Sequence, residues 1–371
     1  MKIEKSSLKR LLQVALLAVL LVAVSAATVS ASENLTVHFI DVGQGDSELL
    51  QFAGKNVLID CGTPEMGQRV ESYLRSHGVS SLDLVVATHP HDDHIGGLLT
   101  ILNDLQVGQV LDSGQTHTSQ TFQNYLNLID RKNIPFSTAE RGQTIDLDPR
   151  LKIEVLSPPA THFAGDDLNQ NSVVLKVTYN KVSFLFMGDA GFVAENSIMA
   201  AGYDLKSDVL KVGHHGSSSA SGSAFLAKVK PTSSIIEVGA GNDYGHPTQA
   251  TLGALQNTGS KIYRTDTNGN IVVTTDGQTY SVSTSKQSWN MASTAPKSTA
   301  SAVALLATAA ASSTTATVSQ GPFVGSSKSD KYHYPSCSAA KKIKSANLVT
   351  FSSSADARAR GYVPCGICHP P

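Results

Sequence analysis

Three imidazoles and two carboxylates fall within six residues at His89-Pro90-His91-Asp92-Asp93-His94, and Gly96-Gly97 follow at once. Nitrogen and carboxylate donors together suit zinc, iron or manganese, and their number points to two ions rather than one. A solvated polar loop has no need of three histidines so spaced. The glycines are expected to let the backbone approach the metals and to start a helix at Leu98. A second cluster lies near the end of the chain. Cys365-x-x-Cys368, with His333 and Cys337 upstream at four-residue spacing, is a structural zinc pattern, His369 being the substitute if His333 is not used.

The elements around the first cluster are those of an α/β domain. Leu35–Asp41 alternates apolar and polar residues like a half-buried strand, and strands follow near Glu48–Phe52 and Asn56–Asp60. The glycines of Val42-Gly43-Gln44-Gly45-Asp46-Ser47 precede a strand where a dinucleotide fold requires a helix, which excludes that fold. Helical periodicity marks Glu65–Ser76, Gly97–Leu105 and Ser119–Lys132, among strands at Leu82–Thr88 and Gln109–Leu111. Strands at Leu151–Leu156, Ser172–Tyr179, Val182–Met187, Asp208–Val212 and Ser234–Val238 alternate with helices near Phe192–Ala201, Ser223–Val229 and Thr248–Gln256. Strands at Lys261–Arg264, Ile271–Thr275 and Thr279–Val282 close the pattern, which predicts two sheets with helices outside, an αββα sandwich.

The 371 residues allow one large domain and one small one, and 41% hydrophobic residues with 29 glycines fit a globular α/β protein. A formal net charge of −1 excludes a chain basic throughout, yet the charge is uneven. Residues 32–320 hold 18 Lys+Arg against 27 Asp+Glu, whereas 321–371 hold 7 against 2. Lys2, Lys5, Lys9 and Arg10, the apolar run Leu11–Val24 and the small residues Val29-Ser30-Ala31 predict a signal peptide over 1–31 and hence a secreted protein, free or cell-wall associated. The run is short for a membrane span, which takes about 20 residues, although an uncleaved anchor is the alternative. A large domain is expected over 32–283, a Ser/Thr/Ala-rich linker over 284–320 and the small second unit over 321–371.

Val42–Ser47, Thr88–Gly97, Gly188-Asp189, Lys211–Ser217 and Tyr244-Gly245-His246-Pro247 together resemble the metallo-β-lactamase superfamily. Within it they are most similar to the hydrolase domain of ComEC-type DNA-uptake channels and to free-standing secreted relatives. The resemblance covers about Asn34–Val282 and implies an αββα fold with two divalent ions, zinc or manganese, between the sheets. On this reading His89 and His91, two apart on an extended segment, share one ion, while Asp93 and His94 face the other. Asp189 ends a buried strand, where a carboxylate costs several kcal/mol unless paired or ligating. The family makes such a residue the bridge between the ions; capping the next helix is the alternative or additional role. One of His214 and His215 is expected to ligate the second ion while its neighbour faces substrate, and which does which stays open. A third histidine for the first ion is missing: His117 and His162 are not at strand ends, and the region offers Asp167 and Asn171 instead.

Two ions clamp the oxygens of an in-line displacement and lower the pKa of bridging water toward about 7, supplying hydroxide at neutral pH. An Asp rather than a Cys at the bridge resembles the phosphodiesterases and esterases of the superfamily. Asp93, His215 and His246 are the catalytic candidates, His246 (or the free member of the His214-His215 pair) protonating the leaving group or binding a phosphate oxygen. Asp41, Asp46 and Asp60 lie at strand ends, where Asp46 either orients a metal histidine or only forms a turn. The tail is similar to the small zinc-binding domain of the Ada DNA-repair protein, with His333 in place of a Cys; a disulfide is the alternative. Lys341, Lys342, Lys344, Arg358 and Arg360 offer a basic face to a polyanion, or merely a solvated one. The expected activity is therefore that of a secreted phosphodiesterase cutting DNA. Behind it stand a phosphorylcholine-type cell-wall phosphodiesterase, a small-ester hydrolase, and a degenerate fold that only binds.

Overall fold

The computed structural model describes residues 33–165, 167–286 and most of 323–365. The signal peptide expected over 1–31, nearly all of the linker expected over 284–320, Cys368 and His369 lie outside the described residues.

The first sheet holds β1 (Leu35–Phe39), β2 (Glu48–Phe52), β3 (Lys55–Ile59), β4 (Leu84–Ala87), β5 (Val110–Asp112) and β6 (Phe136–Thr138). The second holds β7 (Leu151–Ser157), β8 (Val174–Tyr179), β9 (Val182–Phe186), β10 (Val209–Lys211), β11 (Ser233–Ile236) and β12 (Lys261–Arg264). Two further strands, β13 (Ile271–Thr275) and β14 (Tyr280–Thr284), return to the first sheet, giving the order β14-β13-β1-β2-β3-β4-β5-β6 beside β12-β11-β10-β9-β8-β7.

The central strands of both sheets are buried on two faces and read as apolar runs such as Leu84-Val85-Val86-Ala87. Alternation sorts the side chains between layers. Val57, Ile59, Leu84 and Val86 meet Val155, Val177, Phe184 and Phe186 of the opposite sheet. Leu58, Val85 and Ala87 point the other way, against α1 (Gly67–Ser76), α3 (Leu98–Asp104) and α4 (Gln120–Arg131). Leu185, Leu210 and Ile236 do the same for α5 (Phe192–Ala200), α6 (Ser223–Val229) and α7 (Gln249–Asn257). The expected αββα sandwich is the observed one, and β6, a short exposed strand with weak alternation, is the element that periodicity does not reveal.

β3, β4 and β5 run parallel, as do β9 to β12, so several strands of each sheet end at one edge. Loops behind these carboxyl ends are where such sheets collect functional groups. The one-turn helix α2 (Asp92–Ile95) follows β4 there, Asp189 follows β9, and His214-His215 follow β10.

The tail forms a separate small sheet in the order Leu348–Phe351, Phe323–Ser326, Lys331–His333, Val363–Pro364. Phe323, Tyr332 and Phe351 fill its core. Among the described residues no helix is long and apolar enough to cross a membrane.

Candidate metal centre

The loop behind β4 is held by Asp60, the residue after β3. Its carboxylate accepts from Thr88 N at 2.8 Å and Thr88 Oγ1 at 2.5 Å, and lies 2.7 Å from His94 Nδ1. Thus a carboxylate one strand away orients one ring of the cluster and aims His94 Nε2 into the site. Gly45 permits the next strand connection to lie against this loop: its φ is +136°, and a Cβ there would come 2.3 Å from the Asp93 carbonyl. The helix after Gly96 and Gly97 starts at Leu98 as expected. A Cβ on Gly96 would meet Pro64, and one on Gly97 would lie 2.1 Å from the Cys61 carbonyl. The two glycines thus also allow helix and strand connection to pack closely.

His89 Nε2 and His91 Nδ1 stand 2.9 Å apart, so the two are brought together as expected. Asp189 lies between them and the other ligands. Its Oδ2 is 3.8 Å from His89 Nε2, and its Oδ1 is 3.4 Å from His94 Nε2 and 3.5 Å from His215 Nε2. His215 Nε2 is also 3.4 Å from Asp93 Oδ2. Asp189 makes no cap to the following helix, whose N-cap is Gly191.

His214 and His215 both adopt left-handed backbone, φ 49° and 50°, a costly conformation for residues with a Cβ. The twist separates their rings. His215 is buried: its Nδ1 lies 3.0 Å from the Glu237 carbonyl and 3.2 Å from Asp46 Oδ1, which turns Nε2 toward Asp93 and Asp189. His214 is 26% exposed, with Nδ1 3.2 Å from Ser219 Oγ and Nε2 3.3 Å from Asn169 Nδ2 and 3.7 Å from Asp189 Oδ2. Of the pair, His215 faces Asp93 and His214 forms part of the cleft wall.

The donor set fits divalent ions. His94 Nε2, His215 Nε2 and Asp189 Oδ1 are buried without a hydrogen-bond partner, an arrangement that costs free energy unless something else binds there. Metal–ligand bonds of about 2.0–2.2 Å place neighbouring tetrahedral donors roughly 3.4 Å apart, close to the spacings around Asp189. Charge argues the same way. Burial opposes ionisation of Asp189, yet His215, His94 and His89 hold its carboxyl well below the usual range. Burial likewise opposes charge on His215, but Asp189 and Asp46 hold its pKa up at about 10. His89 goes the other way: burial, then His94, pushes it well down and keeps it neutral, the form that ligates metal.

Beneath the site lies a buried polar layer. Lys211 Nζ is 2.5 Å from Asp46 Oδ2, and Glu237 Oε1 accepts from Ser47 N at 3.1 Å. Burial, then Asp46, pushes Glu48 up to about 8, and burial, then Glu48, holds Glu237 well above the usual carboxylate range. Asp46 therefore orients His215 as Asp60 orients His94. Asp41 lies apart, accepting from the Gly43 amide and pairing with Lys286.

The cleft above encloses about 380 Å³ and is lined by Gln44, His91, Asp93, His117, Asn169, Asp189, His214, His215, Tyr244 and His246. His246 is there as expected, its ring 5.5 Å from that of His214. The substitutes for a third histidine need correcting. Asn171 holds Phe163 by both its backbone groups, and Asp167 caps the turn Leu168–Asn171. Asn169, between them, reaches the cleft and leaves its buried Oδ1 unpaired. His117 also enters it, its ring 5.9 Å from that of His91. His117 ends no strand, yet the loop after β5 folds it back over the site. The polar run Asp167–Asn171 ahead of β8 signalled the region but not the residue.

In the tail, His333, Cys337 and Cys365 are buried with donor atoms within 4.8 Å of one another, and His333 Nδ1 has no hydrogen-bond partner. That arrangement suits a structural zinc site completed from a fourth residue. Lys341, Lys342, Lys344 and Arg360 are exposed, Arg360 pairing with Asp356 at 2.7 Å.

Comparison with known proteins agrees with both clusters. The model of the metallo-beta-lactamase superfamily matches residues 40–236, and that of the metal binding domain of Ada matches residues 307–371. ComE operon protein 3 of Bacillus subtilis (strain 168) is 31% identical over 256 residues, 63% of this chain and 32% of that protein. Competence protein ComA of Neisseria gonorrhoeae is 32% identical over 231 residues, 62% of this chain and 30% of that protein. Recombination protein 2 of Haemophilus influenzae is 29% identical over 242 residues, 64% and 28% of the two chains. The chain thus spans about a third of the length of these relatives. Among solved structures, the metallo-beta-lactamase fold protein YhfI from Bacillus subtilis aligns with a TM-score of 0.44 at 12% identity, over 62% of this chain and 96% of that one.

Proposed function

The chain belongs to the metallo-beta-lactamase superfamily, and from that premise we propose that it is an exported phosphodiesterase that cleaves DNA. The observation that carries the proposal is the convergence of His89, His94 and His215 on one buried Asp189 at the floor of an open cleft, with His91 beside His89 and Asp93 beside His215. Two divalent ions held by these residues would draw phosphate oxygens in and make water acidic enough to attack at neutral pH.

On this reading His89, His91 and Asp189 would hold one ion, and Asp93, His94, His215 and Asp189 the other. Asn169 and His117, which line the same cleft, are the candidates to complete the first set. Asp60 and Asp46 keep two rings aimed, and orienting groups of this kind govern metal affinity. His214 and His246 line the wall, where an imidazole hydrogen-bonds a phosphate oxygen or passes a proton to the leaving group. The names of the relatives, competence and recombination, favour DNA among phosphodiesters. The zinc module of the tail, with its exposed lysines, would tether the enzyme to the polymer. Export is part of the proposal, on the strength of the basic and apolar residues before Ala31.

The test is purified full-length protein loaded with zinc or manganese, assayed on plasmid and single-stranded DNA, on choline phosphates and on lactones, beside Asp189→Ala. Cleavage of DNA by the wild type, with a loss of at least about 100-fold in the variant, is expected. Turnover of choline phosphates or lactones with DNA left intact would replace the nuclease by an esterase. Metal confined to the tail would make the domain a binding protein. N-terminal sequencing of secreted protein tests export, and an intact Met1 would refute cleavage.

A further inference from the structure

Tyr244 is the most open large hydrophobic side chain among the described residues, 63% exposed, and it lines the cleft of the metal centre. An aromatic ring left in water beside a polar, carboxylate-rich site has no folding role at that position, since nothing apolar covers it. The loop that carries it is nonetheless tightly built. Asn242 Oδ1 accepts from Tyr244 N and His246 N, each at 3.1 Å. The same side chain donates through Nδ2 to the Gly239 carbonyl at 2.9 Å and to the His246 carbonyl at 2.7 Å. Left-handed Gly241 and Gly245, φ +67° and +72°, turn the chain on either side. One Asn thus clamps the loop, and the ring is presented rather than loosely tethered.

Its orientation is informative. The Tyr244 ring stacks on that of His246, centroids 5.7 Å apart and planes 25° apart, while most of the side chain stays open to solvent. His246 in turn meets His214 edge-on at 5.5 Å, and His214 Nε2 lies 3.7 Å from Asp189 Oδ2. Three rings therefore lead from the carboxylate at the cleft floor to an open aromatic face at its rim. A ligand that places a phosphate at the floor and a flat, uncharged ring at the rim fits this row, and a nucleotide does so.

We propose that Tyr244 is a stacking platform for a nucleobase flanking the scissile phosphate, and so a residue that favours nucleic acid over other phosphodiesters. The inference rests on the phosphodiesterase reading and names its substrate class. Stacking on an aromatic side chain accepts any base, because every base has a π-face, so the platform confers preference for nucleic acid with little preference for sequence. It corresponds to roughly 5- to 150-fold in affinity per base.

The test compares two single-stranded oligonucleotides of equal length and charge, one with 2-aminopurine among ordinary bases and one abasic throughout. Binding to the full-length protein is followed by 2-aminopurine fluorescence and by competition, and cleavage by product analysis. Wild type is expected to bind the base-bearing strand about 5- to 150-fold more tightly and to quench 2-aminopurine. Tyr244→Ala should abolish that preference and the quenching, while Tyr244→Phe and Tyr244→Trp keep both. Thermal melts guard against misfolding, which is not expected from so exposed a side chain. Equal affinity of the wild type for the two strands, or a preference that survives Tyr244→Ala, overturns the platform. The two proposals fail separately. Cleavage of both strands with equal KM leaves the phosphodiesterase and removes the platform, whereas quenching that depends on Tyr244 without cleavage of any strand keeps the platform and removes the nuclease.

Discussion

Replacing Lys211 by Met tests the reasoning about the layer under the metal centre. Lys211 Nζ and Asp46 Oδ2 are 2.5 Å apart, and both side chains are wholly buried. The neighbouring Glu48, pushed up to about 8 by burial and then by Asp46, is protonated at neutral pH. Burial and then Glu48 push Glu237 well above the usual carboxylate range. Lys211 is the ammonium that faces Asp46 in this layer. Met fills the space of the lysine stem but breaks the buried pair and leaves Asp46 only the His215 imidazole, 3.2 Å away, as its close partner, a loss of about 3–5 kcal/mol. For a domain of this size each kcal/mol corresponds to about 2–4 °C, so the midpoint of thermal unfolding should fall by about 6–20 °C. Calorimetry or circular dichroism on metal-free protein isolates this effect from metal binding. The double variant Asp46→Leu, Lys211→Met removes both charges and should recover much of the loss, because His215 Nδ1 keeps the Glu237 carbonyl at 3.0 Å. A Lys211→Met protein within about 1 kcal/mol of wild type, or a double variant whose losses simply add, would refute the pairing argument.

Four further outcomes are expected. Asp60→Asn should weaken metal binding by about 10- to 100-fold, since its carboxylate aims His94; competition with a chelator measures this, and unchanged affinity would contradict it. Burial, then His77, lowers His38 from 6.5 to about 4, so the unfolded chain binds the extra proton between those values. Stability should therefore rise with pH from about 4 to 6.5, by at most about 3 kcal/mol, and His38→Gln should flatten that part of a denaturant-melt series. Gly45→Ala, with its Cβ 2.3 Å from the Asp93 carbonyl at φ +136°, should lower stability by at least about 1–3 kcal/mol and disturb the metal loop, seen as a lower melting point with reduced metal content. Chelation should unfold the tail around His333, Cys337 and Cys365 while residues 33–286 keep their protected amides, which hydrogen exchange resolves region by region.

The layer order and the main ligands were legible because each rests on local chemistry. Two-face burial makes Leu84–Ala87 and Val182–Phe186 continuous apolar runs, and the polar residues that interrupt such runs at their carboxyl ends must lie at one sheet edge. His89, His91, Asp93, His94 and Asp189 announce themselves in this way, as do the paired tail ligands by their spacing. What the local pattern leaves open is set by contacts between distant segments. His214 and His215 are the same residue type side by side, and a left-handed twist together with the Asp46 carboxylate from the other sheet turns one into the site and the other to its wall. Asn169 and His117 enter the cleft from irregular loops, whose direction no periodicity records. The partnership of Lys211 and Asp46 spans 165 residues of chain, and burial converts it from an ordinary pair of charged residues into a support for the centre. Residue type thus told which chemistry was present, while packing of the two sheets determined which atom faces which, because low-dielectric burial lets a partner across the interface orient and ionise a side chain.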